Sequence, residues 1–591
     1  IMLSHNEQAF SEHFGPLKRP TPGVKRDLAY RPTLLGTNFG ASTTHYLATL
    51  AATDILKAGG NAIDAGVAAG LVLGIVESHI TCFSGVAPML IYRASDKSFH
   101  TIDGLGVWPA SASCEYFTSR GHKNIPPGIL QTITPGAPAA WIRALADFGT
   151  LSFGEVASAA IQIAKQGFPV TAQLANALER KANAEFKSDP ELMRVFFPNG
   201  RAMVPGDIFR QEDMGNTLQY LADHEAANAK RGRVEALHAV KQEFYTGDLG
   251  KKIVEFHQEQ GGLLTREDMA GYEVTVEPPL SQTYGNIDVL TCGPWCQGPM
   301  LLQVLNIIKQ SGRSNFQHNS AEYVHFVAEA FKLVAEDREL YYGDPKFTDV
   351  PLDRLLSTAH ARELLEKIEA GRARILDQFP GATDAETRNA VPGGRTFDTS
   401  YACVVDAEGN AISCTPSDGV LRNAPMIPGT GLIISARGLQ SRVDPAHPSS
   451  VQPRKRPRLT PNPAMIVKDD EYVMPFGTPG ADYQVQAMLQ VLLNIQGFGM
   501  ELQEAIEAPR FFSCSFPDSF SPHAYYPGVL QLESGFEQDV YVELANRGHK
   551  VQPWPESVWP QAGVCVVKRD VRTGLVSAGA DCRKVSYAIV S

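Results

Sequence analysis

The first regular pattern of apolar and polar positions begins near residue 41. Thr43 and Thr44 are candidate caps for the segment HYLATLAATDILKAG, whose apolar residues recur at helical spacing until Gly59-Gly60 stops them. A second segment, NAIDAGVAAGLVLGIVE, is apolar nearly all round and rich in Ala and Gly, as suits a helix buried between layers. Short β-type runs at Pro88–Tyr92 and Ser98–Ile102 precede helical patterns over Ala139–Phe148 and Phe153–Gln166. Residues 180–245 read as polar and helical, Val274–Val276 and Ile287–Leu290 as strands, and Pro299–Lys309 as helix again. After a helix-rich, charged stretch over 320–370, periodicity disappears in DQFPGATDAETRNAVPGGRTFD, residues 377–398, which reads as a loop or linker. A β-hairpin follows at once: Thr399–Val405, a turn over Asp406–Asn410, then Ala411–Thr415. Ala464–Lys468 and Tyr472–Phe476 add strands, Gln484–Asn494 a helix, and further strands lie near the end. Strands interleaved with long buried helices predict a layered α/β or α+β architecture.

Composition narrows the class. With 43% hydrophobic and 20% charged residues among 591, the chain reads as a soluble globular protein with a sizeable core. Its net charge of −11 argues against a general nucleic-acid binder or a partner of anionic membranes. The longest clean apolar run, Ala65–Val76, falls short of the ~18–20 residues needed to span a bilayer. The first 35 residues show no apolar h-region, so no signal peptide is expected, although Ile1 ahead of Met2 leaves a removed leader open. The nine cysteines are scattered from Cys82 to Cys582 without disulfide or zinc spacing, and are read as reduced. A cytoplasmic enzyme is the expectation, with an extracytoplasmic one left open. GxSxG, GxxxxGK[ST], HExxH and CxxC motifs are all absent. The common hydrolase, NTPase, metalloprotease and redox readings therefore lose their best support.

The chemistry concentrates where the loop meets the hairpin. A Gly- and Pro-rich loop running into a strand-opening Thr is what an N-terminal nucleophile requires: the Thr399 hydroxyl can attack the preceding carbonyl of Asp398. Cleavage would free an α-amine with a pKa of ~7.7–8.0, suited to act as general base for the hydroxyl on the same residue. A turn centred on Glu408–Gly409 places Ser417 or Asp418 opposite Thr399.

From about residue 36 to the end the chain resembles the γ-glutamyltranspeptidase family. The resemblance is carried by AATDILKAGGNAIDAGVAAGLVLGIVE, TPGAPAAWIRALADFGTLSFGEVASAAIQIAKQGFPV, GDLGKKIVEFHQEQGGLLTREDMAGYEV and AEAFKLVAEDRELYYGDPKFTDVP, and further on by DTSYACVVDAEGNAISCTPS, FGTPGADYQVQ and QEAIEAPRF. It implies an αββα N-terminal-nucleophile hydrolase, made as one precursor and cut between Asp398 and Thr399. The expected division is an extension over 1–34, a large subunit over 35–398 and a small catalytic subunit over 399–591, with a homodimer of these left open. The resemblance further implies that Ser417 hydrogen-bonds the freed amine of Thr399. It also implies that the backbone N–H groups of Gly480 and Ala481 form the oxyanion hole. Ala481 stands where the family has Gly, which restricts the loop if positive φ is required.

Substrate-reading positions depart from the family pattern. Leu105, in Asp103-Gly-Leu105-Gly106, stands where the family has a carboxylate-reading Arg. Gln440 stands where it has an amine-reading Asp, and Leu459 and Thr460 where it has paired serines. The stretches CTPSDGVLRNAPMIPGTG, SARGLQSRVDPAHPSSVQPRKRPRLTPNPAM and FGTPGADYQVQ are more similar to the branch containing oxamate amidohydrolase and glutaryl-type acylases. That branch implies hydrolysis of a small-molecule amide whose acyl group is small or acidic, with no metal and no organic cofactor. Arg422, Arg437 and the RKRPR run ending at Arg458 are then candidate carboxylate readers, with Gln440 and Thr460 in the same site. The RKRPR run has an alternative reading as a solvated basic loop or one packed on acidic surface. Two other functions remain open on the sequence: a genuine γ-glutamyltransferase with relocated readers, and a family member that neither processes nor catalyses.

Overall fold

The computed structural model describes residues 29–181, 184–312, 316–382, 384–388, 398–554 and 562–591. Most of the expected 1–34 extension, and residues 383 and 389–397 of the expected linker, lie outside these. Two seven-stranded sheets form the centre. One runs Tyr587–Val590, Gly40–Thr43, Ala402–Val405, Ala411–Cys414, Met89–Arg93, Ser98–Ile102, Val276–Glu277. The other runs Leu34–Gly36, Val576–Ala580, Cys565–Asp570, Tyr472–Gly477, Ala464–Lys468, Ile287–Thr291, Leu280–Tyr284. Every neighbouring pair in both is antiparallel.

Strand alternation explains why the layers stack as they do. In Ala402–Val405, Ala402 and Val404 join a core with the Ala62–Val76 helix, whereas Cys403 and Val405 join Met465, Val473, Cys565 and Val567 of the opposite sheet. The far face of that second sheet, through Val289, Ile466, Met474 and Val566, packs on the helices Gly298–Ser311, Ala321–Tyr341 and Gln484–Gln496. Helix, sheet, sheet, helix is the result. It is the expected αββα order, with its most apolar helix at one inner boundary: all residues of Ala62–Val76 are buried. Gly70 lets that helix close on Trp141, since a Cβ there would meet the indole at 2.4 Å.

The structure departs from the expected elements at a few places, for physical reasons. The first long helix is capped by His45, whose Nδ1 accepts from the Leu47 N–H at 3.3 Å. Thr44 does not cap it, because its hydroxyl donates to Glu77 at 2.7 Å. Of Val274–Val276, only Val276 enters a strand, Val276–Glu277, because Thr275 pairs with Asp103 instead, accepting its N–H at 3.1 Å and donating its own N–H to the Asp103 carboxylate at 3.1 Å. The hairpin strand begins at Ala402, three residues after Thr399. Its register pairs Ala402 with Cys414, which extends to Thr399 opposite Ser417.

Candidate active site

Thr399 sits just ahead of a central strand, completely buried. Its φ of 114° is a region that β-branched residues almost never enter, and such strain costs about 1–3 kcal/mol. The neighbours hold it there. The Thr399 N–H donates to Ile80 O at 2.9 Å, and the Asp418 N–H donates to the same carbonyl at 3.1 Å. One residue on, the Ser400 N–H donates to Pro416 O at 2.8 Å and the Ser400 hydroxyl donates to Glu77 Oε2 at 2.6 Å. Ser417 can approach because Gly85 has no side chain; a Cβ there would lie 2.2 Å from Ser417 O.

The Thr399 and Ser417 hydroxyl oxygens are 2.7 Å apart. With the Asp398–Thr399 bond intact, Ser417 engages the hydroxyl of Thr399, while the Thr399 nitrogen is held by Ile80 O. Arg437, buried without exposure, donates to Ser417 Oγ, to Asp398 Oδ2 at 2.7 Å and to Gln440 Oε1 at 3.4 Å. Arg422 donates to Asp398 Oδ1 at 3.1 Å. Both guanidinium groups lie over the Phe520 ring, Arg422 at 3.5 Å and Arg437 at 5.2 Å from its centroid. Burial pushes the Asp398 carboxyl up, but the two arginines outweigh it and hold the group below the ordinary range. Asp418 goes the other way, raised chiefly by burial, although Arg437 Nε stands 3.8 Å from it.

Gly480 and Ala481 form the turn before the Gln484–Gln496 helix, with φ of 124° and 49°. Positive φ at Ala481 is the restriction expected from replacing the family Gly. Asp482 anchors this turn by accepting from Arg338 at 2.7 Å, Ser519 Oγ at 2.6 Å and the Ser519 N–H at 2.8 Å. Ala481 shares one apolar cluster with Phe520, the ring beneath the two arginines.

Arg458 is placed elsewhere. It donates to Glu339 at 2.7 Å and to Arg338 O at 2.9 Å, so its guanidinium serves an internal ion-pair network rather than the Thr399 cluster. Arg456 is likewise held, by Asp103 at 2.9 Å and Asp344 at 2.7 Å. Within the RKRPR run, Arg456 and Arg458 are thus packed on acidic groups, Lys455 is buried with its ammonium 3.3 Å from Ser450 Oγ, and Arg454 is exposed. Gln440 and Thr460 do meet, Gln440 Nε2 donating to Thr460 Oγ1 at 3.1 Å, and through Gln440 they support Arg437. Leu105 and Leu459 share a small apolar cluster with Trp295.

Sequence reasoning did not single out Glu77, Ile80 or Phe520. Glu77 lies at the end of the Ala62–Val76 helix, where burial raises its carboxyl pKa although Ser400, Thr44 and Lys584 all favour the charged form. His79, buried near it, is pushed down to about 3 by burial, with Lys584 and His45 adding to the shift. A metal-ligand composition occurs among the described residues at His325, Glu329 and His549. The two imidazoles bond each other at 2.8 Å, and Lys332 Nζ stands 2.6 Å from Glu329 Oε1, filling the place of a cation.

An αββα sandwich with a buried threonine poised before a central strand is the architecture of N-terminal-nucleophile hydrolases. Comparison places the chain more closely: the sequence model of the Gamma-glutamyltranspeptidase family matches residues 48–591, and the chain belongs to that family. Acylase ACY 1 proenzyme of Pseudomonas sp. (strain SE83) is 31% identical over 548 residues, covering 90% of each chain. Glutathione hydrolase-like YwrD proenzyme of Bacillus subtilis (strain 168) is 31% identical over 561 residues, covering 94% of this chain and 99% of its own. The crystal structure of cephalosporin acylase from Bacillus halodurans superposes with a TM-score of 0.82 at 28% identity, covering 96% of this chain and 99% of that one. The protein is a hydrolase of amide C–N bonds, an autoprocessed N-terminal-nucleophile enzyme of this family.

Proposed function

We propose that the chain is cut between Asp398 and Thr399, and that the resulting N-terminal threonine hydrolyses amides of a small, acidic acyl group. The observation that carries this reading is the pair Arg422 and Arg437, which hold a carboxylate directly beside the nucleophile and its Ser417 partner. Guanidinium forks stacked on an aromatic ring suit a planar carboxylate.

The steps follow from the groups present. Thr399 Oγ attacks the amide carbonyl while its own freed amine takes the hydroxyl proton and passes it to the leaving amine. The N–H groups of Gly480 and Ala481 receive the oxyanion; removing such a donor typically costs ~3–4 kcal/mol of transition-state stabilisation. Water, activated by the same amine, then resolves the ester.

Against γ-glutamyl transfer stands the way the departures close on one another. Leu105 and Leu459 replace a charged reader and a serine by one apolar cluster, and Gln440 pairs with Thr460 instead of presenting a carboxylate. Losing a charged reader removes about 1.5–3 kcal/mol per hydrogen bond to a charge. The test compares 4-nitroanilides of dicarboxylic acyl groups and of γ-glutamate with the processed enzyme. Faster release from the dicarboxylic anilides supports the reading. Faster release from the γ-glutamyl anilide, stimulated by glycylglycine, overturns it in favour of transfer.

A further inference from the structure

Resting on that reading, we infer that Asp398 occupies the acyl-binding subsite of its own precursor, and that the enzyme's substrates are amides of four-carbon, succinyl-length dicarboxylic acyl groups.

The inference begins with the chemistry of the two reactions. In maturation, Thr399 Oγ bonds to the Asp398 carbonyl carbon. The Asp398–Thr399 C–N bond breaks, and the proton leaving the hydroxyl ends on the departing nitrogen of Thr399. The product is an ester of Thr399 Oγ with Asp398 as its acyl group, which water hydrolyses to a carboxylic acid, the free hydroxyl and the free amine. In turnover, the same oxygen bonds to the substrate carbonyl, the substrate C–N bond breaks, and the same kind of ester is hydrolysed by water. Both reactions thus pass through an acyl ester on one oxygen, facing one set of neighbours. A group that fits in the first marks the shape accepted in the second.

What fits in the first is visible. The Asp398 side chain is buried at 1% exposure, and each carboxylate oxygen has its own guanidinium partner, Arg437 at 2.7 Å and Arg422 at 3.1 Å. These arginines are not attached to any other carboxylate at comparable distance among the described residues; the next nearest, Asp418, is 3.8 Å from Arg437 Nε and is already served by Ser435 and the Ala436 N–H. Once the Asp398 end leaves, both guanidinium groups face an open subsite, and a substrate carboxylate replaces the lost charge.

The covalent path sets the length. From the carbonyl that Thr399 attacks, the Asp398 carboxylate is reached through two intervening carbons, Cα and Cβ. A succinyl group has the same path. Malonyl falls one carbon short, and glutaryl and γ-glutamyl run one carbon long. Asp398 also bears its peptide nitrogen on the carbon beside the scissile carbonyl, so a substituent is tolerated there. The precursor is consequently its own blocked form: one cleavage exposes the nucleophile's amine and vacates the carboxylate subsite.

The experiment uses the processed enzyme and a series of 4-nitroanilides differing only in the acyl group: oxalyl, malonyl, succinyl, glutaryl, and butyryl as the neutral four-carbon control. The expected kcat/KM is highest for succinyl, about tenfold or more above malonyl and glutaryl, and at least ~100-fold above butyryl. Arg422→Met is expected to shrink the succinyl-over-butyryl ratio at least tenfold; should that variant fail to mature, the acyl series on the unaltered enzyme decides alone. A maximum at another length, or butyryl equal to succinyl, overturns the inference while leaving amide hydrolysis standing. Absence of hydrolysis across the whole series by fully processed enzyme overturns the acidic-acyl reading as well.

Discussion

Replacing Asp398 by Asn isolates what the carboxylate does for maturation. The side chain keeps its size, but an amide has a single acceptor oxygen, so only one of Arg422 and Arg437 can still be served, and the NH2 group faces the other. At least one hydrogen bond to a charge is lost, worth about 1.5–3 kcal/mol. That is the size of the strain, about 1–3 kcal/mol, that holds Thr399 at a φ of 114°. The carboxylate contacts exist both before and during attack, so they do not lower the barrier by preferential binding. They act by keeping the strained, attack-ready backbone populated. Losing them lets residues 398–399 relax, and the attack-ready fraction falls by the same free energy, which slows cleavage about 10- to 150-fold. The assay is a time course of freshly purified or translated precursor, followed by intact mass. Cleavage of Asp398→Asn within twofold of the unaltered rate would refute the reasoning, since strain would then be held without the carboxylate.

Three other outcomes are expected. Gly70→Ala forces a methyl to within 2.4 Å of the Trp141 ring and should destabilise by about 1–3 kcal/mol despite better helix propensity, read as a lowered melting temperature; an unchanged melting temperature would show that Trp141 is free to shift. Ala481→Gly relieves a φ of 49° at the expense of a more flexible unfolded chain, so stability should move by less than about 1 kcal/mol and activity should persist; a large loss of activity would mean the Ala481 methyl itself shapes the site. His45 and His79 are held neutral by burial, with pKa lowered to about 3, so the unfolded chain binds more protons as pH falls below its ordinary histidine value near 6.5. Stability should therefore decline between pH 6.5 and about 3, and a melting temperature that stays flat from pH 7 to pH 4 would contradict it.

The parts legible in the sequence are those set by local periodicity. The Ala62–Val76 helix is marked as buried by being apolar on every face, and the turn of the hairpin narrows the partner of Thr399 to Ser417 or Asp418, between which the observed register selects Ser417. The arginines show where such reading stops. Arg437 and Arg458 look alike in sequence, but one meets Asp398, 39 residues before it, and the other Glu339, 119 residues before it. Only tertiary packing separates them. Phe520 and Glu77 escaped for the same reason: the Glu77 contact with Ser400 spans 323 residues, and no local pattern marks it. The positive φ of Thr399 is likewise invisible, because strain is imposed by Ile80, Pro416 and Asp398 together.

Intact mass of the purified protein, with N-terminal sequencing of the smaller piece, tests the central claim most directly. Two pieces, the smaller beginning Thr-Ser-Tyr-Ala, are the predicted result, and Thr399→Ala should leave one chain. A smaller piece with any other first residue, or a Thr399→Ala variant that is still cut at this bond, would contradict the assignment of Thr399 as the nucleophile.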